Sequence, residues 1–301
     1  LQPGRSRQMP DISEIADGIY RFETPVPGMF YMPVVYVIRE SESVLIEPGP
    51  GMAIPQIREA LWQLKIEVLS YIIPTHIHVD HGGGSGELAQ LYPEARVVAH
   101  PRGAKHLISP SRLIESTKLV WGEDFEAVCG PFIPVPEDRI LVPRDGETIA
   151  LGGRELQILY APGHAPHHLV ILDRKLNALF CGEALGLPGH QLPTVAPYSF
   201  DQELYLSTIE RLRQMDVDLL IYSHGGLETE PQMMISRAAE NARNYADMIL
   251  EALRNGQTTE QLMQTFADDV ARRFGVSLEE KDVEIAVAGY SIYFKNKGLV
   301  P

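Results

Sequence analysis

The sequence predicts an α/β fold in four layers, αββα, with two β-sheets face to face, helices outside them, and an all-helical C-terminal extension. Three observations carry this expectation. Short β-branched segments interleave with amphipathic helical ones in two similar halves, the pattern of packed mixed layers. Histidines and carboxylates fall where strands run into loops, the end at which open α/β sheets hold ligands. Strand patterning stops near residue 231, and only helical pattern follows. Three units are expected: a flexible lead at 1–11, the sandwich domain at 12–230 and the helical extension at 231–301.

Each element has its own signal. Residues 18–24 alternate in polarity and read as a strand. The β-branched runs 34–39 and 44–46 flank a polar turn. Glu47-Pro-Gly-Pro-Gly51 marks a turn before a helix at 53–64, with Ile54, Ile57, Leu61 and Leu64 on one face. A strand at 68–73 stops at Pro74. A helix at 84–92, a strand at 96–99 and helices at 101–108 and 111–120 follow. Residues 121–143 carry four prolines and read as an irregular loop or insertion over the site. Strands are expected at 147–151, 154–160, 168–173, 177–182 and 219–222, with a helix at 201–214. Pro231 opens a long helix to about 254, and Thr258 with Gln261 forms a capping-box pattern before the next. A last helix runs over 281–297.

Composition excludes some classes. The chain has 301 residues, a formal charge of −14 and two cysteines, Cys129 and Cys181. Two cysteines give no disulfide framework, which points to a reducing cytoplasm. Lys and Arg form no extended cluster, so the acidic chain argues against nucleic acid as a partner. No apolar run reaches the roughly 18–20 residues of a membrane span. A small-molecule substrate is the expected partner, and the helical extension offers a surface for a homodimer.

The chemistry is concentrated in Thr75-His-Ile-His-Val-Asp-His-Gly-Gly-Gly84. His76, His78, Asp80 and His81 place three imidazoles and a carboxylate within six positions, at the C-terminal end of an apolar strand. Imidazole and carboxylate suit zinc and ferrous iron. The segment His-Ile-His-Val-Asp-His resembles the HxHxDH signature of the metallo-β-lactamase superfamily. That family also has an αββα sandwich.

The resemblance extends downstream. Ala161-Pro-Gly-His164-Ala-Pro-His-His168 is similar to the family's PGHTxGH element, and His164 takes the ligand position. Phe180-Cys-Gly-Glu183-Ala-Leu185 is similar to its GDxL element, with Glu183 where the family carries a bridging Asp. Glu183 therefore bridges two metals, binds one, or turns away. Ser223-His224-Gly-Gly226 matches the final His ligand. The resemblance implies one metal held by His76, His78 and His164 and another by Asp80, His81 and His224. Zinc is the first expectation, with iron or manganese next.

The implied activity is hydrolysis by a hydroxide at the dinuclear site, with Asp80 orienting the nucleophile and carrying its proton. Esters, thioesters or lactones of a small organic substrate are expected. Phosphodiesters are the alternative substrate, and a non-catalytic metal-containing regulator is the alternative role. Phe30, Tyr31, His190 and Tyr198 lie in loops expected to contact substrate.

Overall fold

The computed structural model describes residues 9–25 and 32–301, so Phe30 and Tyr31 lie outside the described residues. In chain order, the first half comprises β1 (Ser13–Ala16), β2 (Ile19–Glu23), β3 (Val34–Ile38), β4 (Val44–Ile46), α1 (Ile54–Gln63) and β5 (Tyr71–Ile73). Then come α2 (Val79–Gly82), α3 (Ser85–Leu91), β6 (Arg96–Val98), α4 (Pro101–Ile108), α5 (Ser111–Trp121), α6 (Phe125–Cys129) and β7 (Ile140–Leu141). The second half has β8 (Thr148–Ala150), β9 (Glu155–Tyr160), β10 (Leu169–Asp173), β11 (Ala178–Gly182), α7 (Gln202–Arg213), β12 (Leu219–Tyr222) and β13 (Leu227–Glu228). The chain ends with α8 (Pro231–Arg254), α9 (Thr259–Phe274) and α10 (Glu280–Asn296).

The first sheet runs β1-β2-β3-β4-β5-β6-β7 and the second β13-β12-β11-β10-β9-β8. Alternation along the strands explains why four layers form. Successive side chains in a strand face opposite ways. Val34, Tyr36 and Ile38 of β3 join Leu156, Ile158, Leu169, Ile171 and Phe180 in the core between the sheets. Their neighbours Val35 and Val37 face the other way, into a core with α1, α3 and α4. On the second sheet, Val170, Leu179 and Cys181 face a third core built with α7, α8, α9 and α10. The extension thus shares its core with the second sheet. Thr258 caps α9 with the expected reciprocal bonds to Gln261.

Three details differ from the sequence reading. The edge strands β1 and β13 were not anticipated; β1 pairs with β2 across a bulge, and β13 has only two residues. Residues 121–143 are less irregular than expected: they hold α6, a 3₁₀ turn and β7. The two residues of β7 are set by parallel pairing with β6, and two residues carry no readable alternation. β5 starts at Tyr71 rather than 68.

At the end of the sandwich away from the C-termini of β4 and β5, buried Arg154 clamps the sheets together. Its guanidinium pairs with Asp173 at 3.0 Å and Glu40 at 3.3 Å, and donates to the Asp17 carbonyl. Burial pushes the Asp173 carboxyl up, against the pull of Arg154. Breaking a buried pair leaves an uncompensated charge. Arg154→Met is expected to lower unfolding free energy by about 3–5 kcal/mol in urea melts. Adding Asp173→Leu should recover most of that loss; no recovery would contradict the pairing argument.

Candidate metal centre

Strand ends from both sheets meet at one edge of the sandwich. The loop after β5 carries His76 and His78, and buried Ile77 between them anchors it in the core. One turn of helix, α2, then places Asp80 and His81 side by side. Gly84 lets this segment close onto the preceding loop, since a Cβ there would lie 2.7 Å from the Pro48 carbonyl oxygen. His164 follows β9, Glu183 follows β11 and His224 follows β12.

All seven residues singled out in the sequence converge, in two groups: His76, His78, His164 and Glu183, and Asp80, His81 and His224. Glu183 lies between them. Its Oε2 is 2.9 Å from His164 Nε2, 3.2 Å from His76 Nε2 and 3.4 Å from His81 Nε2. Its Oε1 is 3.5 Å from His224 Nε2. His164 Nε2 and His78 Nδ1 are 3.0 Å apart, and His81 Nε2 is 3.2 Å from Asp80 Oδ2.

This donor set fits divalent metal ions. Bonds of roughly 2.0–2.1 Å in a tetrahedral shell put ligand atoms about 3.3 Å apart. His76 Nε2 and His81 Nε2 are buried and near carboxylate oxygens, yet make no aligned hydrogen bond. Opposite ring nitrogens are engaged: His76 Nδ1 with Thr75 Oγ1 at 3.0 Å, and His164 Nδ1 with the Thr194 carbonyl at 3.0 Å. His81 Nδ1 lies 3.1 Å from Glu47 Oε2. Such outer partners fix the ring and turn the other nitrogen inward.

The electrostatics agree. Burial holds His76 well below the usual imidazole range and takes His78 down to about 3. Burial opposes protonation of His81 too, but Asp80 and Glu47 outweigh it and hold its pKa well above the usual value. Glu183 overcomes burial at His164 in the same way. Burial by itself raises the carboxyls of Asp80 and Glu183, and the facing imidazoles outweigh it. Asp80 falls to about 2 and Glu183 goes well below the usual range. Ionised carboxylates in a dry site need positive charge beside them. Metal ions supply it where protons otherwise must.

Sequence reasoning missed Glu47, read only as the start of a turn. It is buried, sits at the end of β4 and adopts φ 59°. Backbone strain of this kind persists where surroundings over-determine it. Glu47 Oε1 accepts from Thr75 Oγ1 at 2.6 Å and from Ser223 Oγ at 2.8 Å. It therefore ties together the loops bearing His76, His81 and His224. A carboxylate at the end of an apolar strand, before Pro-Gly, was the available signal. His168 has a similar supporting part: its Nε2 accepts from the Glu183 backbone N–H at 3.0 Å. Gly182 makes room for this with φ 56°; a Cβ would lie 2.6 Å from that nitrogen.

A cavity of about 330 Å³ opens onto the cluster. Trp121 and Val120 of α5 form one wall, Leu187, Val195 and Tyr198 another. The helical extension closes it with Phe266 of α9 and Asp282, Ile285 and Ala286 of α10. Tyr198 thus lies where a substrate contact was expected. His190 is not among the residues lining the cavity; its ring lies 5.2 Å from that of Phe274, tilted by 30°.

The metallo-beta-lactamase superfamily profile matches residues 29–224, from the first sheet to the final histidine of the cluster. The chain belongs to the metallo-beta-lactamase superfamily. A relative from Sulfurisphaera tokodaii, the metallo-beta-lactamase fold-containing protein ST1585, is 30% identical over 206 residues, covering 66% of this chain and 75% of its own. The Bos taurus acyl-coenzyme A thioesterase MBLAC2 is 30% identical over 199 residues, 60% of this chain and 67% of its own. Among solved structures, the metallo-beta-lactamase family protein TTHA1429 from Thermus thermophilus superposes with TM-score 0.73 at 20% identity, covering 95% of each chain. That likeness establishes the fold. Among the described residues, no helix is long and apolar enough to cross a membrane.

Supporting partners of this kind typically change metal affinity about 10–100-fold. Glu47→Gln keeps the size and removes the charge facing His81. It is expected to weaken metal binding about 10–100-fold in competition with a chromogenic chelator. Unchanged affinity would show that Glu47 does not support the site.

Proposed function

We propose that the protein is a metal-dependent acyl hydrolase that cleaves thioesters or esters with an apolar acyl group. The observation that carries this reading is the character of the cavity. Its wall beside the His/Asp/Glu cluster is mostly apolar, and no Lys or Arg is among its described lining residues. A phosphodiester or nucleotide needs cationic partners along its backbone, and this wall offers no Lys or Arg among the described residues. An apolar acyl group loses water on entering and packs on Trp121, Val195 and Ile285. The thioesterase name of the bovine relative points the same way.

In this reading His76, His78 and His164 hold one ion and Asp80, His81 and His224 the other. Glu183 is shared between them. A donor set of imidazole and carboxylate suits zinc first, with iron or manganese also accommodated. Bound divalent ions would supply Lewis acidity toward a carbonyl and a water acidified toward neutral pH. The chain's own groups do the rest. Asp80, ionised and lining the cavity, accepts a hydrogen bond from the attacking water and sets its direction. The apolar wall excludes bulk water, which strengthens every charge interaction inside. Ser199 Oγ lies 3.4 Å from His78 Nε2 and gives the wall a hydroxyl beside the cluster.

The reading is tested with protein loaded with zinc, manganese or iron and a panel of thioesters, esters and phosphodiesters. Acyl thioester or ester turnover is expected, abolished by chelation and restored by metal. Asp80→Asn should lower kcat/KM by roughly 10²–10⁴-fold, the usual range for a positioned proton-transfer group. Preferential phosphodiester turnover, or metal-loaded protein without acyl turnover, would overturn the proposal.

A further inference from the structure

His167 lines the cavity beside the cluster, yet it belongs to neither group of candidate ligands. The family element that residues 161–168 resemble has glycine at its position. Here an imidazole is seated there from two sides. His167 Nδ1 accepts a hydrogen bond of 3.5 Å from the backbone N–H of Ile77, between His76 and His78. Opposite, Gly103 of α4 makes room: a Cβ there would lie 3.3 Å from His167 Cβ. A glycine inside a helix costs stability relative to alanine, and this one clears the place of the ring. A ring nitrogen that accepts carries no hydrogen, so the hydrogen of His167 is on Nε2. Burial and the imidazoles of His78 and His164 oppose a second proton. Nε2 makes no hydrogen bond among the described residues. Unlike Nε2 of His76 and of His81, it is not covered by protein, so its N–H is open to a ligand.

The other donors of the wall are spent or further from the cluster. Ser116 and Thr117 donate to the Leu113 carbonyl, Thr194 to the Glu183 carbonyl and Ser199 to the His164 carbonyl. The Trp121 N–H and the Tyr198 hydroxyl remain, but neither ring contacts a cluster imidazole among the described residues. The His167 ring does, edge to face with His78 at 5.5 Å between centroids. We propose that His167 is a catalytic residue whose Nε2–H donates a hydrogen bond to the acyl carbonyl oxygen of the substrate. The bond is held as that oxygen gains negative charge, and no proton leaves the ring. This rests on the acyl-hydrolase reading, but binding at the same place can be measured without turnover. A carbonyl oxygen has two acceptor positions, so a cation and an N–H can share it. A donor fixed before the reaction stabilises the developing charge without reorganising. Because the bond strengthens as charge develops, its loss falls on kcat more than on KM.

The test compares metal-loaded wild type, His167→Leu and His167→Gln on the octanoyl thioester of N-acetylcysteamine. In His167→Leu, kcat should fall about 10²–10³-fold, the scale of one lost oxyanion donor, with KM and metal content little changed. His167→Gln places an amide N–H near the position of Nε2–H and should recover to within about tenfold of wild type. It also guards against misfolding of the leucine variant. Unchanged kcat in His167→Leu, a loss confined to KM, or a glutamine variant no better than the leucine one would overturn the proposal. A second readout needs no turnover. Heptyl trifluoromethyl ketone hydrates to a tetrahedral mimic of the attacked carbonyl, and its binding is followed by fluorescence of Trp121, which lines the cavity. His167→Leu should bind this ketone about 10²–10³-fold more weakly, and octanamide, whose oxygen carries less charge, less than tenfold more weakly. Equal losses for the two probes, no loss for the ketone, or no ketone binding by wild type would overturn the assignment of His167. A wild type without thioester turnover that still shows the His167-dependent ketone affinity would retire the hydrolase reading and leave the hydrogen bond standing.

Discussion

The carboxylate of Glu183 is buried among imidazoles from both halves of the chain, and the rest of the site depends on that placement. Its two oxygens reach His76, His81 and His164 on one side and His224 on the other. An ionised carboxylate is stable there only beside positive charge. The site as a whole is therefore built for cations. The imidazoles are oriented from behind by Thr75, Glu47 and the Thr194 carbonyl, leaving their other nitrogens to converge. Glu183 is one methylene longer than aspartate, and the backbone gives it room: Gly182 turns with positive φ and His168 receives the Glu183 N–H.

Holding such a cluster requires that the two sheets be locked in register beneath it. Hydrogen bonds between the halves do this close to the site. Leu169 N donates to the Thr75 carbonyl at 2.6 Å, Val34 N to the Ser223 carbonyl at 2.9 Å, and Tyr36 Oη to the Tyr222 carbonyl at 2.5 Å. Glu47 adds a charged link between the loops after β5 and β12. A small shift between the sheets would pull His164 and Glu183 away from His76 and His81. The apolar core between the sheets resists it, because close-packed interiors deform little. The helical extension does for the cavity what these bonds do for the cluster: α9 and α10 close a wall that the sandwich alone leaves open.

Much of this was legible in the sequence because its signals are local. The His-Ile-His-Val-Asp-His run, the Pro-Gly before His164 and the Gly-Gly after His224 each mark a strand end in a few residues. The alternation in 155–160 likewise shows that Leu156 and Ile158 face the intersheet core, whereas 34–38 is apolar throughout and reads only as a buried strand. What was hidden depends on distance in space. Glu47 lies 28 residues before Thr75 and 176 before Ser223, so its acidity reads as a turn until the fold joins them. β7 and β13 exist because a neighbouring strand offers free backbone groups, and two residues cannot advertise that. His190 reads as a loop residue in the sequence, and its contact with Phe274 of α9 depends on a helix more than 60 residues away.

In the proposed arrangement one buried carboxylate, Glu183, joins two metal positions. Anomalous diffraction from crystals grown with zinc, measured on both sides of the zinc absorption edge, tests it most directly. Two anomalous peaks are predicted, one among His76, His78 and His164 and one among Asp80, His81 and His224, each bonded to an oxygen of Glu183. A single peak, or two peaks with Glu183 turned away from either, would rule out a carboxylate shared by two ions.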